Sequence, residues 1–511
     1  MKVPMTVTDF IRRAELIYPD REAIVDEHDQ PAQSWGTLTY REVAERARAI
    51  AAGLDALGVG VGERVAMVSH NSSRLLTALF GVSGSGRILV PINFRLAAEE
   101  VRYIVGHSGA RVLLVDPELE DAMKEVECER KLIIGAEADE ELLRFGVEPM
   151  PWFGDEDATA TINYTSGTTA RPKGVQLTHR NLWTNATTFG WHMGVNDRDV
   201  YLHTLPQFHC NGWGMLYAVT GMGGRHVIIR KIDGTEILRR VQQHGVTLMC
   251  GAPAVVNMVL DAAAQWEGEI PGRDQVRIVV AGAPPPTRTI ERVETELGWE
   301  FNQIYGLTET SPLLTINRPR AEFDDLSPAD RALKLNRAGA PAIGCEMAVD
   351  EQGEVLARSN VVMAGYWEQP EATAEAIVDG WFHTGDGGSI DEFGYVAISD
   401  RKKDVIITGG ENVSSIEVED AIFQHPDITE VAVIGVPDDK WGELVTALVV
   451  TTPGSDLTSD EVIAWTRQKL AGYKCPKRVE FREALDRTAT GKLQKFKLRA
   501  PFWEGQSRQV N

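Results

Sequence analysis

The segment that most constrains this chain is a polar loop, YTSGTTARPKG, at residues 164–174. Its flanks, residues 159–164 and 175–177, have the composition of β-strands, which predicts a strand, a loop and a second strand. The loop contains three threonines, a serine, two glycines, an arginine and Lys173. Hydroxyls, unhindered backbone amides and a mobile cation are groups that bind a polyphosphate. A polar surface turn of the same composition is the alternative interpretation.

The loop does not match the Walker A pattern. That pattern requires Gly, Lys and then Ser or Thr at the start of a helix. Here Pro172 precedes Lys173, Gly174 follows it, and the next residues are of extended type. A phosphate loop at this place is therefore one of another kind.

Composition indicates an ordinary globular protein. The chain has 511 residues, 43% of them hydrophobic and 25% charged, and at ~150 residues per domain it divides into about three lobes. A net charge of −22 opposes general attraction to nucleic acid or to an anionic membrane. The five cysteines lack the spacing of a disulfide framework or a zinc site, so a reducing cytoplasm is expected.

Targeting segments are not expected either. The N-terminal residues MKVPMTVTDFIRRAE become charged too early for a signal peptide. No apolar run approaches the ~18 residues that a membrane span requires. We therefore expect no integral membrane span.

The first two thirds of the chain alternate between helical and strand patterns. Thr39 and Glu42 form a capping-box pattern before a helix that should end at Gly58. Buried strands are expected at residues 65–68, 88–92, 112–115, 227–229, 247–250 and 277–281, and helices at 72–80 and 97–105. The pattern predicts an α/β fold. After Gly339 the sequence becomes rich in strands and turns, which predicts a small β subdomain.

The charged run DRKKD at residues 400–404 is the predicted domain boundary. We expect a large multi-lobed α/β domain over residues 1–400, a hinge at 401–404 and a small mobile α/β domain over 405–511. In the small domain we expect a helix from Ile416, strands at 431–436 and 444–450, and a helix from Thr458 with Glu461 in the capping-box position.

Several further motifs carry groups suited to nucleotide chemistry. In YGLTET, residues 305–310, a Tyr ring can stack on a purine, a Thr can contact phosphate and a Glu can bind Mg²⁺. In GWFHTGDGG, Asp386 lies between glycines and can accept hydrogen bonds from ribose hydroxyls. Each has an ordinary interpretation as well, a strand end for the first and an Asp-Gly turn for the second.

Two more motifs are less specific. The segment RTATGKLQKFKLR contains Lys492 and could simply be a solvated basic tail. In PQFHCNGWG, residues 206–214, a packed core histidine is the ordinary interpretation of His209. If this segment is a strand, His209 and Cys210 point in different directions, which argues against a thiolate dyad.

Taken in order along the chain, these motifs resemble those of the adenylate-forming superfamily, in its acyl-CoA synthetase branch of AMP-dependent fatty acid–CoA ligases. Ala170 stands where that family usually has Gly. The resemblance implies a two-step reaction. A carboxylic acid and ATP give an acyl adenylate and pyrophosphate, and the thiol of coenzyme A then displaces AMP. It also implies ATP and CoA as substrates, Mg²⁺ as cofactor and a small-molecule carboxylic acid as partner. A homodimer is a further expectation, beside the cytoplasmic location that the cysteines indicate.

The resemblance assigns roles residue by residue. The ATP or AMP site comprises Thr165, Ser166, Gly167, Thr168, Thr169, Lys173, Ala281, Gly282, Ala283, Gln303, Tyr305, Gly306, Thr308, Asp386, Ile398, Arg401 and Lys492. Catalytic roles fall to His209, Thr308, Glu309 and Lys492, and Mg²⁺ to Thr165 and Glu309. The acyl pocket comprises His209, Trp213, Gly282 and Ile304, and the CoA loop Gly409, Gly410 and Glu411. Lys403 is the expected hinge, about which the small domain turns between the two steps.

Substrate choice and three rival functions stay open at this stage. Ile304 occupies a position where family members with wide acyl tunnels often have Gly, so a short, medium-chain or ring-bearing acid is expected. An acyl-AMP ligase that loads a carrier protein would share the first step. The second and third rivals are a luciferase-like oxygenase and a non-catalytic scaffold of the same fold. The scaffold is disfavoured because Lys173, Thr308, Glu309, Asp386 and Lys492 are all present.

Overall fold

A computed structural model describes residues 1–165, 171–401, 404–409, 411–438, 440–487 and 493–504. The helices are α1 Thr8–Ile17, α2 Tyr40–Ala56, α3 Ser73–Gly81, α4 Ala98–Ser108, α5 Ala136–Leu142, α6 His179–His192, α7 Met215–Met222, α8 Gly234–His244, α9 Pro253–Ala263, α10 Thr287–Arg292, α11 Pro328–Leu335, α12 Pro370–Ala376, α13 Ser415–Phe423, α14 Ser459–Arg467 and α15 Lys495–Trp503. No helix in this part of the chain has the length and apolar character needed to cross a membrane.

The strands up to residue 341 are β1 Glu22–Val25, β2 Thr37–Thr39, β3 Arg64–Val68, β4 Ile88–Ile92, β5 Ala110–Val115, β6 Arg130–Ile133, β7 Thr159–Thr165, β8 Lys173–Thr178, β9 Val200–Leu202, β10 Arg225–Val227, β11 Leu248–Gly251, β12 Arg277–Val280, β13 Glu300–Gly306, β14 Leu313–Asn317 and β15 Ala340–Pro341. Those that follow are β16 Cys345–Val349, β17 Glu354–Ser359, β18 Gly365–Tyr366, β19 Ile377–Val378, β20 Trp381–Ile390, β21 Val396–Arg401, β22 Ile406–Thr408, β23 Glu411–Val413, β24 Ile428–Asp438, β25 Gly442–Thr451 and β26 Arg478–Phe481.

Two large mixed sheets form the N-terminal part. The first has the order β18-β8-β7-β4-β3-β5-β6, and the second β15-β14-β13-β12-β11-β9-β10-β1-β2. Their central strands pair in parallel, and β4 is buried along its whole length. Continuous apolar strands of this kind are typical of parallel sheets covered on both faces.

The helices that cover these sheets begin where the sequence predicts. Thr39 accepts a hydrogen bond from the backbone N–H of Glu42, and the Glu42 carboxylate accepts one from the backbone N–H of Thr39. This capping box satisfies backbone groups that would otherwise lack partners at the start of α2. The apolar face of α2 is buried in the main core through Val43, Ala47 and Leu54.

Two smaller sheets follow. A β subdomain after residue 341 has the order β16-β17-β20-β19, with β21 paired to β20. The C-terminal sheet has the order β23-β22-β25-β24, with β26 beside β25. The predicted α/β class is confirmed, although β10 ends at Val227, so the strand predicted at 227–229 is wrong for Ile228 and Ile229.

Candidate active site

The polar loop at residues 164–174 joins two paired strands. Thr165 at the end of β7 is the register partner of Lys173 at the start of β8. The two predicted strands that flank this segment are therefore confirmed. The predicted phosphate-contacting residues Ser166, Gly167, Thr168 and Thr169 lie outside the described residues, as does Ala170.

Tyr366, which no sequence motif indicated, connects Lys173 with Glu309. The Lys173 ammonium lies 4.6 Å from the centroid of the Tyr366 ring, within the range of a cation–π contact. The Tyr366 hydroxyl donates a hydrogen bond of 3.0 Å to Glu309 Oε1. Tyr366 lies on β18, which pairs with β8 opposite Val175, so strand pairing places it beside the loop.

Glu309 has the character of a ligand for a hard cation. It is half-buried in a short 3₁₀ turn, Thr308–Thr310. Among the described residues no Lys or Arg forms an ion pair with it. A partly desolvated carboxylate with no ion-pair partner among the described residues fits Mg²⁺, which prefers oxygen ligands. The other predicted ligand, Thr165, is half-buried at the end of β7.

Tyr305 and Asp386 form the second cluster. The Tyr305 hydroxyl donates a hydrogen bond of 2.8 Å to Asp386 Oδ2. Asp386 is buried on β20, and its backbone partner on β21 is Arg401. The predicted adenine-stacking and ribose-binding residues are thus brought together from separate sheets.

A cavity of about 340 Å³ opens beside this pair. Eight predicted site residues line it, namely Gly282, Ala283, Gln303, Ile304, Tyr305, Gly306, Asp386 and Ile398. Gly282 has φ +91°, and a Cβ there would meet no atom within 4 Å, so its bare backbone faces open space. Ala281 is buried in the core. The lining does not include Thr165, Lys173, His209, Trp213, Thr308 or Glu309.

The far wall of the cavity comes from the C-terminal part of the chain. Asp420 accepts hydrogen bonds of 2.9 and 3.2 Å from the backbone N–H and the hydroxyl of Thr287. Arg288 donates one of 3.0 Å to the carbonyl of His425. These bonds join α10 to α13 and the segment just after it, and one of their partners, Asp420, lines the cavity.

Lys492 and the proposed hinge Lys403 lie outside the described residues. The residues that flank 488–492, Arg487 and Leu493, form a β-bridge, and both line the cavity. Lys495 also lines it, and its ammonium lies 2.8 Å from Glu419 Oε1. Burial lowers the pKa of Lys495, but the carboxylates of Glu419 and Asp400 outweigh this effect and raise that pKa above its usual value.

The segment of His209 and Trp213 is not a strand, so the prediction that strand alternation separates His209 from Cys210 is wrong. Residues His209–Gly214 form a 3₁₀ segment that contains left-handed backbone. A thiolate at Cys210 is disfavoured for another reason, because burial raises the pKa of its thiol far above the usual value. The Cys210 Sγ lies 3.9 Å from the carbonyl oxygen of Thr308, which places this segment next to the Thr308–Thr310 turn.

The expected CoA loop lies at the turn between β22 and β23. The backbone N–H of Gly409 donates a hydrogen bond of 2.8 Å to the carbonyl of Trp441. Neither Gly409 nor Glu411 lines the cavity, and Gly410 lies outside the described residues.

Comparisons with known proteins identify the family of the chain. Residues 11–367 match the family model of the AMP-binding enzyme, and residues 417–492 match that of the AMP-binding enzyme C-terminal domain. The chain is 36% identical to 2-methylpropanoate–CoA ligase of Humulus lupulus, over 97% of this chain and 95% of that one. It is 36% identical to 4-hydroxybutyrate–CoA ligase 2 of Metallosphaera sedula, over 96% and 93%. The structure of the anthranilate CoA ligase AuaEII in complex with anthranoyl-AMP superposes with a TM-score of 0.88 at 25% identity, and covers 98% of both chains.

The chain therefore belongs to the family of AMP-binding enzymes, the adenylate-forming superfamily that its motifs resemble. Within that superfamily it is an ATP-dependent acid–CoA ligase of the acyl-CoA synthetase branch. The family, the fold class and this class of activity, all predicted from the sequence, are confirmed.

Proposed function

We propose that this ligase activates a small carboxylic acid, aliphatic or with a single ring, and that the residues assigned by resemblance perform the two half-reactions. The observation that carries the proposal is the shared cavity. It holds the Tyr305–Asp386 pair on one side and the residues flanking 488–492 on the other.

In the first half-reaction a carboxylate oxygen attacks the α-phosphorus of ATP. The bond from that phosphorus to the oxygen bridging the α- and β-phosphates breaks, and pyrophosphate leaves. Tyr305 stacks on adenine and Asp386 accepts hydrogen bonds from the ribose. Lys173 binds the departing phosphates, while Thr308 and Lys492 stabilise the charge at the α-phosphate.

Thr165 and Glu309 would hold Mg²⁺, which neutralises phosphate charge when bound. Glu309 fits this role because its carboxylate is partly desolvated and is oriented by the Tyr366 hydroxyl. His209 positions the carboxylate of the substrate. The contact between Cys210 and Thr308 supports this placement, because it puts the His209 segment beside the residue assigned to the α-phosphate.

In the second half-reaction the sulfur of CoA attacks the acyl carbonyl. The bond between that carbon and the phosphate oxygen breaks, AMP leaves, and the thiol proton passes to solvent. Gly409, Gly410 and Glu411 would meet CoA after the C-terminal domain turns about Lys403. The position of Gly409 and Glu411 outside the cavity lining fits an arrangement that serves the first step.

The acyl pocket is the basis for proposing a small acid. Trp213 and Ile304 are both bulky and buried, with 4% and 3% of their surface exposed. The relatives named above act on C4 acids and on anthranilate, which has one ring. The cytoplasmic location, the homodimer and a role in fatty-acid metabolism stay predictions from the sequence.

The test is ATP–pyrophosphate exchange with a panel of acids that includes propanoate, 2-methylpropanoate, 4-hydroxybutyrate, anthranilate, hexanoate and octadecanoate. We expect exchange with the smaller acids, and CoA-dependent release of AMP with the same acids. If octadecanoate were the best substrate, the proposal that the acyl pocket takes a small acid would be wrong. Exchange without consumption of CoA would instead identify a ligase that loads a carrier protein.

A further inference from the structure

The segment that contains His209 and Trp213 has an unusual run of left-handed backbone. Cys210, Asn211, Gly212 and Trp213 have φ values of 46°, 52°, 58° and 58°. Only Gly adopts this region without cost, and Asn tolerates it better than Cys or Trp does. Tertiary contacts must therefore hold this run of residues, which we call the left-handed turn.

A closed ring of side-chain hydrogen bonds holds Asn211, in the middle of the turn. Thr161 Oγ1 donates to Asn163 Oδ1 at 2.9 Å, and Asn163 Nδ2 donates to Asn211 Oδ1 at 3.2 Å. Asn211 Nδ2 completes the ring by donating to Thr161 Oγ1 at 2.9 Å. All three residues are at most 2% exposed. A buried polar group without a partner is costly, so each bond of the ring constrains the other two.

The turn is also held at both ends. Asn163 Nδ2 donates to the carbonyl of Phe208, just before His209, at 3.2 Å. Asn185 Nδ2 donates to the carbonyl of Trp213 at 3.0 Å. Asn185 Oδ1 accepts from the backbone N–H of Leu313 at 3.1 Å. The backbone on either side of the turn therefore has little freedom to move.

The ring connects this turn to β7, the strand that ends at Thr165. Thr161 and Asn163 lie on β7, and Thr165 ends that strand. Residues at alternate positions of a strand point to the same face. The strand face that ends at Thr165 therefore also carries the side chains that hold the turn.

We propose that Thr161, Asn163 and Asn211 are positioning residues for the carboxylic-acid site. They hold the left-handed turn in the one conformation that presents His209 and Trp213 to the acid, at a fixed place relative to Thr165. This inference rests on the proposed function, which assigns His209 and Trp213 to the acid. It adds residues that touch neither acid nor nucleotide.

The first test compares Thr161→Val with Thr161→Ser. Valine keeps the shape of threonine but leaves Asn163 and Asn211 without their hydroxyl partner, whereas serine keeps the hydroxyl. With 2-methylpropanoate as the acid, we expect Thr161→Val to raise the KM for the acid about tenfold or more. The KM for ATP should stay near that of the wild type, and Thr161→Ser should restore the wild-type KM for the acid. Equal KM values for the acid in wild type and Thr161→Val would overturn the proposal.

The second test separates the hydrogen bonds from the backbone conformation. Asn211→Gly tolerates the left-handed region but removes the ring, and Asn211→Ala removes the ring and disfavours the conformation as well. We expect both to raise the KM for the acid, with the larger effect in Asn211→Ala. If Asn211→Gly had the wild-type KM for the acid, backbone conformation alone would matter. That result would contradict the proposed role of the hydrogen-bond ring.

A third measurement does not depend on activity. Cys210 is buried inside the turn, so its alkylation by iodoacetamide, followed by peptide mass spectrometry, reports on how firmly the turn is held. We expect faster alkylation of Cys210 in Thr161→Val and Asn211→Gly than in wild type and Thr161→Ser, with Cys250 as the buried reference thiol. Unchanged alkylation of Cys210 in both variants would contradict the proposal, whatever their activities. A wild-type enzyme inactive with every acid would contradict the proposed function instead, and the alkylation result would still stand.

Discussion

The hydroxyl of Tyr305 donates a hydrogen bond of 2.8 Å to Asp386, a residue 81 positions further along the chain. Tyr305 lies near the end of a strand of the nine-stranded sheet, and Asp386 lies in the β subdomain. The bond therefore fixes the ring and the carboxylate relative to each other before a nucleotide enters. Such preorganisation reduces the ordering that binding must otherwise impose.

Replacing Tyr305 by Phe should weaken the binding of ATP. The variant keeps an aromatic ring for adenine but removes the donor to a buried carboxylate, a bond worth about 2 kcal/mol. We expect the KM for ATP in pyrophosphate exchange to rise about 30-fold, with little change in the KM for the acid. Tyr395→Phe is the matched control, because it also removes a tyrosine hydroxyl that takes part in a hydrogen bond. That hydroxyl accepts from Arg320. An unchanged KM for ATP in Tyr305→Phe would contradict this role.

Replacing Tyr366 by Phe should change the dependence on Mg²⁺. The ring beside Lys173 remains, but Glu309 loses the hydroxyl that orients it. Loss of such an outer partner typically weakens metal binding by about tenfold or more. We expect the Mg²⁺ concentration for half-maximal exchange to rise by that factor, with activity recovering at high Mg²⁺. Tyr18→Phe, near Arg21, serves as the control, and identical Mg²⁺ curves for Tyr366→Phe and wild type would refute the assignment.

Replacing Lys492 by Ala should separate the two half-reactions. The charge that Lys492 brings to the α-phosphate is needed while the adenylate forms, so exchange should fall by about 100-fold or more. Conversion of a preformed acyl adenylate to the thioester should change little. Lys497→Ala, at an exposed lysine of α15, controls for loss of charge in this region. Equal losses of rate in both half-reactions would contradict the assignment of Lys492 to adenylate formation alone.

Replacing Trp213 by Gly should widen the range of acids. Trp213 has φ +58°, a conformation that Gly adopts readily, so the backbone tolerates the change. Removal of a buried Trp costs about 3–5 kcal/mol of stability through the space it leaves. We expect kcat/KM to shift from 2-methylpropanoate toward hexanoate and longer acids. Ile304→Ala tests the same pocket from β13, and an unchanged preference in both variants would remove these residues from the acyl site.

The buried histidines should make the fold sensitive to acid. His226 Nδ1 lies 3.0 Å from His203 Nε2, and both rings are at most 1% exposed. Burial lowers the pKa of His226 to about 3 and lowers the pKa of His203 well below its usual value. Below about pH 6.5 the unfolded chain binds protons that the folded chain does not, so these groups reduce stability as the pH falls.

The measurement is the free energy of unfolding between pH 5 and 8 for wild type and His226→Gln. The difference between the two proteins should change by up to about 1.4 kcal/mol per pH unit below pH 6.5, in the direction that favours the variant in acid. His28→Gln, at an exposed histidine, should give no such trend. A difference between wild type and His226→Gln that is independent of pH would contradict the prediction.

Local signals predicted much of the fold. The capping boxes at Thr39 and Thr458 and the continuous apolar run of β4 lie where the sequence indicates. These features depend on neighbouring residues alone. The left-handed turn at Cys210 does not, because Asn163 and Asn185 hold it from other elements. Tyr366 was missed for the same reason, since its contacts with Lys173 and Glu309 arise only when β18 pairs with β8.

The hydrogen bonds from Thr287 and Arg288 to Asp420 and His425 bear on how product leaves. They lie just beyond the segment 282–286 that lines the cavity. Each contributes about 1 kcal/mol net, so motions on the microsecond to millisecond timescale can break and re-form them. We expect the exchange of AMP for ATP on this side of the cavity to require that these bonds open together with the one from the Ser415 backbone N–H to Asp400, so that this opening sets an upper limit on the turnover rate.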